Sequence, residues 1–374
     1  MAVKGGASPD VTIVGGGVIG CSIAYYLAGE GVRVTVLERG EIGGEASCAA
    51  AGMLAPLSEA SDGGPFRDLG IASLRMFEEL APRLREESGV DIEYLKSSIL
   101  RVPLSEAEAD RLRALAGSDP APPLELHWLE RDELRTLEPA ICPAAVGALY
   151  SPEECQVNAD RLVRAFAAAA ERRGAVLRRG TSVTAFQTDG KRVTGVRTAD
   201  GRLSAGHVVL AAGAWSGRLA SALGFSLPVF PVRGQMMALP ASRSTPRHII
   251  WREECYLVPK ANGLLFAGAT TERAGFRKKT TRKGLADIKK MSASLAPVLA
   301  SLCPADSWAG LRPGSGDGLP VLGPLPGWEG LTVAAGHYRN GILLSPVTGR
   351  LIARSILDSS SNEALALFSP SRFL

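Results

Sequence analysis

Apolar positions at the start of the chain fall into two short runs separated by a helical pattern. Val11 to Val14 reads as a buried strand, the residues through Leu27 place apolar side chains at helical spacing, and Val32 to Leu37 reads as a second strand. Strand, helix and strand in that order form the first unit of a parallel α/β sheet. The turn between the first strand and the helix is Gly15-Gly16-Gly17-Val18-Ile19-Gly20, which fits G-x-G-x-x-G in the context that the Rossmann fingerprint requires. Gly15 allows the tight turn, Gly17 lets the backbone approach a pyrophosphate, and Gly20 lets helix and strand pack closely. The helix N-terminus then faces the anion.

Glu38 stands at the end of the second run, 18 positions beyond Gly20, where a carboxylate accepts hydrogen bonds from ribose hydroxyls. The same carboxylate repels a 2′-phosphate, which disfavours NADP. On these residues alone the dinucleotide is either NAD or FAD.

Beyond Gly43 the pattern changes to small residues, EASCAAAGMLAP, as expected of either a flexible loop or a backbone that a ligand approaches closely. Leu69 to Leu84 reads as a helix, and the proline-rich residues 118 to 126 as a surface loop. Asn158 is an N-cap candidate for a helix that stops at Gly174. A meander follows, with turns at Asp189-Gly190 and Asp200-Gly201, and then a buried strand from Val208 to Ala211. After Leu227 the pieces PVRGQMMAL, HIIWREECYLVP and GLLFAGAT alternate like strands of an antiparallel sheet, and the last segment returns to strand, glycine turn and helix.

With 374 residues, the chain exceeds what one core usually organises, and two domains are expected. Hydrophobic residues make up 46% and charged residues 21%, as in a soluble globular protein, and the net charge of +4 is too mild to imply nucleic acid. Basic residues cluster from Arg273 to Lys290; a solvated loop and helix face is the expectation, with an anionic partner as the alternative. The six cysteines are scattered without C-x-x-C or pairing to histidine, so neither a disulfide framework nor a metal site is expected. No apolar stretch suits a secretory signal or a membrane span, and a cytoplasmic protein with no transmembrane segment is expected.

Taken together, VTIVGGGVIG, AAAGML, AAGAWSG, PVRGQ, CYLVPK, WAGLRPGSGDGLP and AAGHYRNGILLSP resemble the D-amino-acid oxidase family of FAD enzymes, in particular its glycine-oxidising branch in bacterial thiamin biosynthesis. The resemblance covers nearly the whole chain and selects FAD. It implies an α/β fold, α+β overall, with a glutathione-reductase-type FAD-binding domain and an inserted antiparallel-sheet substrate domain. Expected boundaries are 1–85, 146–225 and 305–374 for the FAD-binding domain, with 86–145 and 226–304 for the substrate domain. GSGDGLPVLG contains no cysteine to tether a flavin, so FAD is expected to be noncovalent. The resemblance also implies a homotetramer.

Matched residue by residue, Gly15, Gly17, Val18, Ile19 and Gly20 fall at the pyrophosphate turn, and Glu38 and Arg39 at the adenosine. Ser47, Ala51, Gly52 and Met53 fall between the diphosphate and the flavin, and Val183 beside the adenine. Gly213 and Trp215 count among the cofactor contacts, Trp215 as a packing surface. His337, Tyr338, Arg339, Asn340, Gly341, Ile342 and Leu343 are expected to wrap the isoalloxazine, with the helix after Asn340 aimed at the ring edge where charge accumulates.

Oxidation of an α-amino acid by hydride transfer needs positioning more than acid–base apparatus. A planar guanidinium fixes a substrate carboxylate through two charge-assisted hydrogen bonds, so Arg312 and Arg339 are the catalytic candidates, with the Tyr256 hydroxyl as a third donor. Thr271 stands where the family has a large apolar residue, and Glu254 where it has a histidine. With Met53 they are expected to border the substrate chamber, so substrate size stays open among glycine, sarcosine, N-ethylglycine and small D-amino acids. Molecular oxygen is the expected acceptor, giving hydrogen peroxide. A dehydrogenase passing electrons to a quinone or partner protein, and a flavin-binding scaffold subunit, are the alternatives.

Overall fold

The structure is a computed structural model, and it describes residues 8–59, 64–117, 124–358 and 365–374. Two sheets dominate it. The first has six strands in the order Val321–Pro324, Leu331–Ala335, His207–Leu210, Val11–Val14, Val34–Leu37 and Val176–Arg178; only the first pair is antiparallel. Val11–Val14 is buried on both faces, as its unbroken apolar run requires.

The helix Val18–Gly29 is buried nearly all round because it lies between two others, Ala159–Arg172 and Ser345–Leu357. Small residues set those distances. A Cβ on Gly349 would sit 2.2 Å from Ser22 Oγ, and one on Gly20 would sit 1.9 Å from the Gly15 carbonyl oxygen. The Asn158 side chain caps its helix by accepting from Arg161 N, and the expected meander is a three-stranded sheet, Val183–Asp189, Arg192–Thr198 and Gly201–Ser204. Of the expected proline-rich loop, residues 118–123 lie outside the described residues.

The second sheet has eight strands, ordered Asp306–Ser315, Val229–Pro240, Leu264–Gly268, Cys255–Pro259, Ile249–Arg252, Ile99–Arg101, Gly147–Ser151 and His127–Glu130. It is antiparallel except where Ile249–Arg252 meets Ile99–Arg101 in parallel, because that partner arrives from a distant segment and not through a hairpin. Gly147–Ser151 and Asp306–Ser315 fall inside the boundaries expected for FAD binding, yet both hydrogen-bond into this sheet. For Asp306–Ser315 the reason is a ladder with Val229–Pro240 running from Val229 opposite Ser315 to Ala238 opposite Asp306. Among the described residues, no helix is long and apolar enough to cross a membrane.

The contact at Gly20 yields a test. Gly20→Ala forces a methyl group into the Gly15 carbonyl, and the expected loss is about 2–4 kcal/mol of stability. An unchanged urea midpoint would show that the turn relaxes freely.

Candidate active site

A cavity of about 360 Å³ runs between the two sheets. At one end lies the glycine turn. Gly15 has φ +113°, and a Cβ there would lie 2.3 Å from the Ala211 carbonyl oxygen, so turn and neighbouring strand touch through bare backbone. Gly17 is the helix N-cap and has no capping side chain, while Val18 N donates to Ser47 Oγ at 3.0 Å. Gly15, Gly17, Val18, Ile19 and Ser47 all line the cavity. Gly20 does not, and serves the helix packing described above.

Glu38 also lines the cavity, its carboxylate oriented by backbone donors: Gly16 N at 2.8 Å on one oxygen and Gly40 N at 2.9 Å on the other. A carboxylate oxygen accepts more than one hydrogen bond, so ribose hydroxyls remain compatible with this arrangement. The Arg39 guanidinium lies 3.7 Å from the centroid of the Trp215 ring and pairs with Glu45 at 2.5 Å. Val183, Gly213 and Trp215 complete the wall. Lys278, from the basic stretch, reaches back to this end and donates to the Gly44 carbonyl at 3.1 Å and to Glu45 at 2.9 Å.

In the middle, Ala51, Gly52 and Met53 cross the cavity wall. Gly52 has φ +85°, and a Cβ on it would meet the Val157 carbonyl oxygen at 2.0 Å. Half-buried Lys260 braces the segment, donating to the carbonyls of Ala51 and Val157 and to Gln156 Oε1. Opposite them, His337 to Ile342 line the wall, while Leu343 turns away and its carbonyl accepts from Ser73 Oγ at 2.6 Å. The helix expected directly after Asn340 begins at Ser345, following a turn over residues 341–344. His337 is 2% exposed; its Nε2 lies 3.1 Å from Thr348 Oγ1 and its Nδ1 has no protein partner. Burial holds its pKa down to about 3 from an ordinary 6.5, so it is neutral at physiological pH.

At the far end the two arginines separate in character. Arg312 is half-buried and makes one hydrogen bond among the described residues, from Nη1 to the Thr270 carbonyl at 3.0 Å, with no carboxylate in ion-pair range. Arg339 is already engaged: Nε donates to Glu59 at 3.0 Å and Nη1 lies 3.3 Å from Glu254, leaving Nη2 buried without a partner. Tyr256 lines the cavity between them, with its hydroxyl 3.6 Å from Met236 Sδ. Glu254 and Thr271, joined by a 2.7 Å hydrogen bond, stand behind Arg339 and not on the cavity lining.

Comparison with known proteins accounts for this geometry. A family model described as FAD dependent oxidoreductase (DAO) matches residues 10–355. The chain belongs to the FAD-dependent oxidoreductase family. Glycine oxidase of Geobacillus kaustophilus is 38% identical, covering 98% of this chain and 97% of the relative. The ThiO/ThiG bifunctional protein of Synechocystis is 37% identical over 98% of this chain and 54% of its own length. Among solved structures, glycine oxidase from Bacillus cereus superposes with a TM-score of 0.89 at 34% identity, covering 94% of this chain and 95% of that one.

The cavity of this FAD-dependent oxidoreductase suits the cofactor by its own features. A helix N-terminus whose N-cap is glycine, with Ser47 Oγ beside Val18 N, and the glycines of the turn offer backbone to a pyrophosphate. The oriented Glu38 carboxylate suits a ribose.

Sequence reasoning did not find Glu59, Gly234 and Met236, which all line the chamber. Glu59 follows the small-residue stretch three residues after Pro56, with Glu45 and Asp62 nearby, and nothing local sets it apart. Burial pushes its carboxyl above the usual range while Arg339 pulls the other way. Gly234 and Met236 carried no signal, since each passes for an ordinary sheet residue.

Neutral, buried His337 has a measurable consequence. Between its ordinary pKa of 6.5 and its folded value of about 3, the unfolded chain binds a proton that the folded chain does not, so this contribution to stability, present above 6.5, is lost as pH falls. Each unit costs about 1.4 kcal/mol at most. Urea unfolding of FAD-saturated His337→Gln is therefore expected to depend less on pH between about 6.5 and 4.5 than the wild type; equal slopes would contradict it.

Proposed function

We propose that this enzyme oxidises glycine or a similarly small amino acid, and that Arg312 holds the substrate carboxylate. The observation carrying this reading is the contrast between the arginines. Arg312 brings a half-buried guanidinium with no ion-pair partner to the cavity, Glu59 acting on it only at longer range, whereas Arg339 already has two carboxylates beside it. A partly desolvated cation with no ion-pair partner gains more from a ligand's anion than one already paired. A planar fork suits a carboxylate.

Gly15, Gly17, Glu38, Ser47 and Gly52 would hold FAD, which would supply a hydride acceptor that oxygen restores; the overall change is amino acid, oxygen and water to oxo acid, ammonia and hydrogen peroxide. The protein binds and orients. Arg312 fixes the carboxylate, the Tyr256 hydroxyl donates beside it, and Met236 and Met53 close the apolar sides. Arg339, held by Glu59 and Glu254, serves better as a wall that sets chamber size and charge than as a second fork. Sarcosine and small D-amino acids stay within the same reading.

Relatives named as oxidases favour oxygen as acceptor over a quinone. The product is well suited to thiamin thiazole synthesis, and a homotetramer in the cytoplasm belongs to the same reading. So does noncovalent FAD held by a discontinuous domain drawn from residues 1–85, 146–225 and 305–374, with 86–145, 226–304 and the strands Gly147–Ser151 and Asp306–Ser315 in the substrate domain.

Arg312→Ala is expected to raise KM for glycine on the order of 10²-fold while the protein stays yellow. An unchanged KM would remove the assignment. A dehydrogenase would also be exposed by stoichiometry: the expected yield is one peroxide per amino acid consumed, and a yield near zero with fast turnover on a quinone would exclude the oxidase.

A further inference from the structure

The motif PVRGQ, Pro231 to Gln235, has so far been given no chemistry. It lies opposite Arg312. In the ladder between Val229–Pro240 and Asp306–Ser315, Val232 pairs with Arg312 and Gly234 with Gly310. Residues alternate between sheet faces, so Gly234 shares a face with Arg312 while Arg233 and Gln235 point to the other. A Cβ on Gly234 would lie 2.3 Å from Arg312 Nη1 and 2.5 Å from its Cζ. The guanidinium therefore rests on the bare backbone of Gly234.

A bare floor supports the fork but does not aim it. Aim comes from the Thr270 carbonyl, which accepts from Arg312 Nη1, and Thr270 is itself held by a polar network. Its hydroxyl accepts from Gln235 N at 3.0 Å and donates to Glu272 Oε1 at 2.6 Å. The Gln235 amide donates to the same Glu272 oxygen at 2.6 Å and accepts from Thr281 N. Buried Arg233 pairs with the other oxygen of Glu272 and donates to the Lys279 carbonyl. Burial works to raise the Glu272 carboxyl, but hydrogen bonds from Arg233, Thr270 and Gln235 outweigh it and hold the pKa down to about 2.

We propose that Arg233, Gln235, Thr270 and Glu272 form a positioning network that aims Arg312 at the substrate carboxylate, with Glu272 as its anchor and the Thr270 peptide as the link. This rests on Arg312 being the carboxylate site. None of the four lines the cavity. They act through Arg312 and not on the substrate. The arrangement also explains how Arg312 stays free of an acidic partner: the anion that stabilises the region is spent on Arg233, on the far face of the sheet, and a neutral carbonyl orients Arg312. A carboxylate placed directly on Arg312 would compete with the substrate.

The test compares Thr270→Val, Thr270→Ser, Glu272→Gln and Arg312→Ala as FAD-loaded proteins. Binding of acetate is measured by perturbation of the flavin spectrum, and KM is measured for glycine and for glycine methyl ester, which lacks the carboxylate. Thr270→Val, which loses the hydroxyl link, is expected to weaken acetate binding and raise KM for glycine on the order of tenfold, with KM for the ester held within about twofold. Thr270→Ser restores wild-type values. Glu272→Gln gives the same pattern as Thr270→Val and carries the comparison should the valine variant lose its FAD. If Arg312→Ala itself leaves acetate binding unchanged, the carboxylate site has been misassigned. If Arg312→Ala weakens acetate binding but the network variants bind it like wild type, the network proposal is overturned and the carboxylate site stands. Equal rises in KM for glycine and its ester would reduce the network to general support of the fold, which also overturns it.

Discussion

The ladder between Val229–Pro240 and Asp306–Ser315 is the constraint on which the rest of the molecule depends. Its register sets Gly234 against Gly310, and both must be glycine for different reasons. A Cβ on Gly310 would lie 2.7 Å from the Ala49 Cβ, and one on Gly234 would strike the Arg312 guanidinium. The first glycine lets the eight-stranded sheet press against the small-residue segment that borders the nucleotide cavity. The second gives the arginine a flat bed. A slip of one residue would turn Arg312 to the opposite face and bring bulk to the cavity.

Charge distribution follows the same geometry. Carboxylates in this region are assigned to cations other than Arg312: Glu272 to Arg233, Glu59 and Glu254 to Arg339, and Glu45 to Arg39 and Lys278. Of the two arginines at the far end, Arg312 faces the chamber with a neutral hydrogen-bond partner. In a low-dielectric site this asymmetry matters more than the number of positive groups, because an arginine already paired gains little from a second anion. Two arginines that look equivalent in the sequence are thus different in kind. The basic stretch near Lys278 likewise turns inward in part, with Lys278 on Glu45 and the Arg277 and Lys279 carbonyls receiving Arg233.

The nucleotide-binding half was largely legible before any coordinates. Glycine spacing, an apolar strand before it, an acidic residue after the second strand and the N-cap at Asn158 are local signals, and each depends on backbone sterics or hydrogen bonds a few residues apart. The Val11 strand, the helix behind it, Glu38 on the cavity and the Asn158 cap all occur where the pattern puts them. Leu343 and Gly20 lie off the cavity lining, since a motif names consecutive residues but a wall uses only those whose faces turn toward it.

What the sequence determined by itself, then, was the presence of a dinucleotide fold, the antiparallel character of most of the second sheet and the cationic residues available to a carboxylate. Tertiary structure decided which of those cations is free. Glu59, Glu254 and Glu272 find their partners across 39 to 280 residues of chain, through strand register and loop closure that no local pattern encodes. Hydrogen bonds and ion pairs depend on distances in space, and along the sequence those distances are invisible until the two sheets close on each other.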